Sequence, residues 1–230
     1  MMYGFHWDLS NPLAFALSIL PILGIGLVVT IEATVLGFAV ALVVGLGLAL
    51  LRRSRLRAIA WPAGMVIEFI RDTPLLVQLY FLYFVLPDYG ITLPAFATGV
   101  FALGLQYSAY TSEVYRAGLD AVPNGLWEAA LALNMSRTRT YQVVIIPQAI
   151  PRILPALGNY LVSMMKDTPV LSTVTVAEML NLANVIGDRT FRYLVPLSMV
   201  GLIFLLLTMI CTAGLRRLEA LLPKTGIQLP

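Results

Sequence analysis

The 230 residues are 59% hydrophobic and only 12% charged, with a mean hydropathy of +0.86, and the charged share is about half that of soluble domains. A soluble domain of this size cannot bury so much apolar side chain, which excludes an ordinary soluble enzyme, a disordered chain and a nucleic-acid module and leaves an integral membrane protein. The net charge of +3 is too small to indicate a nucleic-acid partner, and a lone Cys211 with a lone His6 offers neither an internal disulfide nor a metal site.

A membrane helix needs about 20 residues to cross roughly 30 Å of hydrocarbon. The first apolar stretch, residues 9–51, is interrupted only by Glu32. No basic region precedes it, so it does not read as a cleaved signal peptide. It predicts an interfacial lead-in over 10–20, a break at Pro21 and a long helix over 22–51, with Glu32 in the outer part. Arg52, Arg53, Arg55 and Arg57 follow as a cytoplasmic anchor, which puts the N-terminus outside. A second span falls within 61–86, with Glu68, Arg71 and Asp72 near its inner start and Pro87, Asp88, Tyr89 and Gly90 as its outer turn. A third lies near 95–115, uncharged until Glu113, with Arg116 beyond it.

Residues 118–151 are more polar, and no part is long and apolar enough to cross. Helical periodicity there centres on 126–135. A fourth span near 152–165 continues past an interruption at Lys166, Asp167, Thr168 and Pro169, and a fifth over 193–215 ends at Arg216 and Arg217. The expectation is an all-α integral membrane protein of five transmembrane helices, a single domain over 1–230, N-terminus outside and C-terminus inside. The basic residues agree: Arg137, Arg139, Arg152 and Lys224 join those at 52–57 and 216–217 on the inside, while Arg189 and Arg192 fall outside. A sixth span, split at Glu32, would need a turn that the sequence does not offer.

Two segments echo each other: Arg71-Asp72-Thr73-Pro74-Leu75-Leu76 and Lys166-Asp167-Thr168-Pro169-Val170-Leu171. Thr before Pro can cap free amides where a new helix starts, so either segment could break a helix at the edge of a cavity; the alternative is a simple Pro kink beside a self-neutralising pair. Charges within spans are costly and face a partner or a cavity; Glu68, Glu113 and Glu178 are the candidates, for a transport role or for structural pairing, with Arg71 and Arg116 as partners for the first two. Tyr80, Tyr83, Tyr107 and Tyr110 could line a path or anchor helix ends.

The run Glu128-Ala129-Ala130, Asn134, Val144, Ile146, Pro147 resembles the Glu-Ala-Ala loop of ABC-importer permeases, whose pattern is Glu-Ala-Ala, three residues, Gly, nine residues, Ile, one residue, Leu-Pro. Asn134 stands at the Gly position, and Asn is the commonest substitute in a left-handed turn. Residues 70–78 are similar to the Arg-Gly-Thr-Pro-Leu-Leu segment of the polar amino acid permeases (histidine, glutamate, glutamine, arginine, opine), with Asp72 replacing Gly. Residues 113–118 and Lys166-Asp167-Thr168 also match that group.

The resemblance implies a type I importer permease in a bacterial inner membrane. It implies a second permease subunit, identical or related, a cytoplasmic ATPase dimer and an extracytoplasmic solute-binding protein. Residues near 126–138 would form the coupling helix that docks on the ATPase, within a coupling loop over 118–151. Arg71, Asp72, Thr73, Glu113, Lys166, Asp167, Thr168 and Pro169 are the candidate cavity or hinge residues. No phosphate-binding Gly-x-x-x-x-Gly-Lys-[Ser/Thr] occurs, so no cofactor, metal or catalytic residue is expected here; ATP and Mg would belong to the partner ATPase. The implied solute is a polar amino acid or related zwitterion, ectoine or hydroxyectoine included. A carrier or channel working alone, and a membrane scaffold, are the other readings.

Overall fold

A computed structural model describes residues 7–221; His6 and Lys224 lie outside them. The regular elements among these residues are all helical: α1 (Pro12–Arg52), α2 (Arg57–Asp72), α3 (Leu75–Tyr80), α4 (Ala95–Asp120), α5 (Asn124–Ala132), α6 (Arg137–Thr140), α7 (Ile146–Asp167), α8 (Met179–Thr190) and α9 (Leu194–Leu221). Helix α3 runs on through a wide π turn, Phe81–Val85, and a 3-10 turn, Leu86–Tyr89; α7 runs on through a 3-10 segment, Thr168–Val174. The chain forms two compact units. The first comprises Met1–Ala39, Thr73–Gly104 and Ser163–Ile210, the second Val40–Asp72, Leu105–Val162 and Cys211–Pro230.

In the first unit, Phe15, Ile19, Ile22 and Leu23 of α1 recur at helical spacing and bury against Met179, Leu182, Ala183 and Ile186 of α8. This packing explains why α1 does not break at Pro21. Proline removes only its own amide, and the buried residues on both sides of it hold the helix on course. The expected interfacial lead-in is therefore part of a packed helix. Close approach is needed at Gly26, where a Cβ would lie 2.7 Å from the Met179 Cα. Thr30 supports the same contact by accepting the Met179 amide at 3.4 Å.

In the second unit, the Thr111 hydroxyl of α4 donates to the Ala41 carbonyl of α1 at 2.8 Å. Gly45, one turn on, leaves room for this crossing, since a Cβ there would lie 2.7 Å from the Ser108 carbonyl oxygen. Thr98, Gln106, Ser108, Thr111 and Ser112 of α4 are all buried. Ser108 and Ser112 donate to carbonyls three residues back at 2.6 and 2.7 Å, which makes them small and locally satisfied.

Among the described residues, helices α1 and α9 are each long and apolar enough to cross a membrane; two helix pairs bent at short breaks, Arg57–Asp72 with Leu75–Tyr89 (101°) and Arg137–Val174 with Met179–Thr190 (46°), make the number up to four if each bent pair is one span. Helix α4 has the length, with 26 residues, but its polar side chains keep its composition below that of a lipid-facing span. Gly45→Leu is expected to cost about 1–3 kcal/mol by overpacking, and Thr111→Val about 0.6 kcal/mol for one interhelical hydrogen bond. Thermal unfolding in detergent should therefore rank Gly45→Leu clearly below Thr111→Val.

Candidate functional site

The polar stretch between α4 and α7 is a folded helical hairpin with its own core. Val122, Ile145 and Ala149 are fully buried and are flanked by Leu126, Trp127, Tyr141 and Ile153. Ala130 is also buried, whereas Glu128, Ala129 and Leu131 are exposed. Helix α5 thus turns Leu126, Trp127 and Ala130 inward and leaves a Glu128–Ala129 edge outward. Leu126 and Ala130 lie within the stretch expected to dock on the ATPase, yet they are turned inward. The helix also ends at Ala132 rather than continuing to 138.

Its end is a Schellman turn. The Met135 amide donates to the Ala130 carbonyl at 3.0 Å and the Asn134 amide to the Leu131 carbonyl at 2.9 Å. Asn134 has φ +53°, the left-handed backbone that its side chain type tolerates. Ser136 then caps α6 by accepting the Arg139 amide. Before Pro147 the helix widens into a π turn, Tyr141–Ile145, with the Ile146 amide bonded to the Tyr141 carbonyl. Widening is the usual relief for a proline ring that would strike the carbonyl four residues back.

An alternating chain of charges spans α1, α2 and α4. It runs Glu68–Arg52 (3.4 Å), Arg52–Glu113 (3.3 Å), Glu113–Arg116 (2.7 Å), Arg116–Asp120 (3.0 Å) and Asp120–Arg53. Glu113 pairs with Arg116, but Glu68 takes Arg52 rather than Arg71. Arg71 instead places its guanidinium 5.9 Å from the ring centroid of Tyr110, a cation–π distance. Arg152 of α7 donates to the Ala121 carbonyl. Asp120 stands four residues after Arg116, a helical spacing that could have marked it in the sequence; Arg152 has no such signal, since its partner is a backbone carbonyl on a distant segment.

Tyr110 stacks on Tyr160 at 5.4 Å and 16°, and Tyr107 meets both rings edge-on. Beside them opens a groove of about 350 Å³ lined by Tyr110, Glu113, Arg152 and Tyr160 together with small residues of α4 and α7. Tyr160 was overlooked as one aromatic in an apolar run. Tyr80 and Tyr83 belong elsewhere and pack edge-on against Phe84.

The two echoing segments differ in outcome. The first breaks the helix, and Pro74 precedes a new one, α3. The Gln78 amide nitrogen donates to the Thr73 hydroxyl at 2.8 Å and to its carbonyl at 3.2 Å. The second does not break but tightens to 3-10, with Pro169 in its first turn. The Thr168 hydroxyl is buried and donates back to the Met165 carbonyl at 2.7 Å, so it caps nothing ahead of it. Lys166 is exposed, and Asp167 and Pro169 are half-buried. Helix α3 packs against Thr168–Val174, which brings together the elements that follow the two Thr-Pro pairs. Glu178 is fully buried and caps α8, accepting the Leu180 and Asn181 amides at 2.9 and 2.6 Å. It is a structural cap. No group of three or more His, Cys, Asp or Glu among the described residues could hold a metal.

Residues 41–222 match the family model described as binding-protein-dependent transport system inner membrane component. A probable amino-acid ABC transporter permease protein of Sinorhizobium fredii is 61% identical over 230 residues, covering 100% of both chains. An L-cystine transport system permease protein of Bacillus subtilis is 38% identical over 183 residues, covering 80% of this chain and 76% of that one. A crystal structure of an amino acid ABC transporter with histidines superposes with a TM-score of 0.87 at 37% identity, covering 93% of this chain and 99% of the other.

The left-handed turn at residue 134 makes a direct test. Asn134→Gly should keep the loop intact, whereas Asn134→Val, at about 1–2 kcal/mol of backbone cost, should speed hydrogen exchange at Met135 by about tenfold.

Proposed function

The chain belongs to the binding-protein-dependent transport system inner membrane components, and on that premise we propose that it imports amino acids by coupling its α5 edge to a partner ATPase. It is an ABC transporter permease subunit of the inner membrane with the type I importer fold, and it is not itself an enzyme. The observation that carries the coupling reading is the exposed Glu128–Ala129 edge, held on a buried hairpin core and closed by a Schellman turn.

In this reading 1–230 is one permease domain with five spans: α1, the α2–α3 pair, α4, the α7–α8 pair and α9. The N-terminus is outside, as the arginines after α1 and near the end of α9 favour. Helix α4 crosses despite its composition because its polar residues are buried rather than lipid-facing. Residues 118–151 form the coupling loop, with Glu128, Ala129, Ala130, Asn134 and Pro147 giving it shape. Glu128 meets a basic or amide-bearing surface of the ATPase, while Ala130, Asn134 and Pro147 hold the hairpin behind it. ATP and Mg are used in the ATPase dimer. A second permease copy or related subunit and an extracytoplasmic solute-binding protein complete the importer.

A push on α5 passes through a short rigid route. Trp127 meets Tyr141 edge-on at 5.2 Å, and the core around Val122 and Ile145 continues to Ile153 of α7. Ile153 fills the space over Gly118 of α4. The charge chain fastens α4 to α1 and α2. ATP-driven motion of the loop would therefore be felt at the groove beside Glu113, Tyr110 and Arg71, where a zwitterion finds a carboxylate, aromatic faces and guanidinium groups. Asp72, Thr73 and the Lys166-Asp167-Thr168-Pro169 segment form the hinge, since both lie where α-helical bonding is interrupted. An amino acid is the favoured solute because relatives that carry amino acids match almost the whole chain. Ectoine has no comparable support and serves as a comparator.

The test is uptake by proteoliposomes holding the chain with its partner permease, ATPase and binding protein. ATP-dependent uptake of a polar amino acid, in preference to ectoine, is the expected result. Glu128→Arg should lower both ATPase copurification and uptake by about tenfold or more, as expected for a reversed interfacial charge, with Glu128→Gln milder. Ion-gradient-driven uptake without any ATPase would overturn the reading.

A further inference from the structure

We propose that the groove between the inner end of α1 and the α5–α6 turn binds an anionic phospholipid of the inner leaflet. The inference rests on the topology proposed above, in which the arginine-rich end of α1 meets the cytoplasmic face. The groove has a volume of about 550 Å³ and carries Arg53, Arg55 and Arg137 but no carboxylate in its lining. Arg53 is neutralised by Asp120. Arg55 and Arg137 are exposed and, among the described residues, have no ion-pair or hydrogen-bond partner. Two uncompensated guanidinium groups thus share one concavity.

The floor is apolar and aromatic. Leu50 and Leu119 lie beside Trp127 and Tyr141, whose rings meet at 5.2 Å and 80°. Leu50 also ends an exposed stripe on α1: Val43, Leu46 and Leu50 are 74%, 44% and 59% exposed and fall on one helical face. A phosphate headgroup suits the two guanidinium groups, which can each form bidentate bonds to phosphate oxygens. An acyl chain suits the stripe. A free phosphate would leave the stripe unused, and a neutral lipid would leave the arginines unpaired. Glu128, the residue offered to the ATPase, does not line the groove.

The test uses the assembled importer reconstituted in phosphatidylcholine with dioleoylphosphatidylglycerol, followed by delipidation and native mass spectrometry. The wild type should retain phosphatidylglycerol over phosphatidylcholine, and added salt should release it. Arg55→Gln and Arg137→Gln should each lower retention about fivefold and together by about twentyfold or more, in line with the attraction of one basic residue to an anionic membrane surface. Arg57→Gln removes a nearby exposed charge outside the groove and should leave retention unchanged. Arg55→Lys with Arg137→Lys keeps the charge and should retain most of the lipid. Unchanged retention in the double Gln variant, or equal retention of the two lipids by wild type, overturns the proposal. So does loss of the ATPase with lipid retention intact, which would assign the groove to the ATPase. Failure of the wild type to assemble with any ATPase would sink the importer reading instead, and lipid retention is read independently of it.

Discussion

Inside hydrocarbon a backbone amide or carbonyl has no water to turn to, so every interruption of a helix must be closed by the protein itself. The structure meets that requirement in different ways. At α8 a buried carboxylate, Glu178, takes the first two free amides. After Asp167 the chain keeps bonding by tightening to a 3-10 segment. The polar hairpin between α4 and α7 closes its own backbone by comparable means, a π turn before Pro147 and a Schellman turn through Asn134. These closures let irregular backbone persist where a moving transporter needs it.

The same economy governs the polar side chains. Small hydroxyl residues of α4 bond to their own helix or across to α1, so a helix of modest hydropathy can lie buried with these hydroxyls satisfied. The longer ionic side chains gather where α1, α2 and α4 are joined by ion pairs. Single exposed ion pairs contribute little, but a chain in which Arg52, Glu113, Arg116 and Asp120 each serve two neighbours constrains three helices at once. That constraint matters more for transmitting movement than for stability.

Much of this was legible because lipid imposes blunt rules. Apolar length located α1 and α9, and the Gly-like position of Asn134 located a left-handed turn. Where the reading failed, the deciding contact lies far along the chain. Pro21 looks like a break until Met179 and Leu182 are packed against the residues on either side of it. Glu68 looks like a partner for Arg71 until Arg52 arrives from another helix. Leu126 gives no sign in the sequence of facing inward until the core around Val122 and Ile145 is assembled beside it. The stack of Tyr110 on Tyr160 joins residues fifty apart in sequence, and no periodicity connects them.

The charge chain has an electrical consequence. Arg52, Arg53 and Arg116 carry three positive charges, and Glu68, Glu113 and Asp120 carry three negative ones. One unbalanced charge moved through the full membrane potential does work of about 2.3 kcal/mol per 100 mV. A cluster that sums to zero and moves together does none. Movement of this cluster as one body along a membrane normal would therefore cost the same in an energised membrane as in a depolarised one, and the potential would neither drive nor resist it.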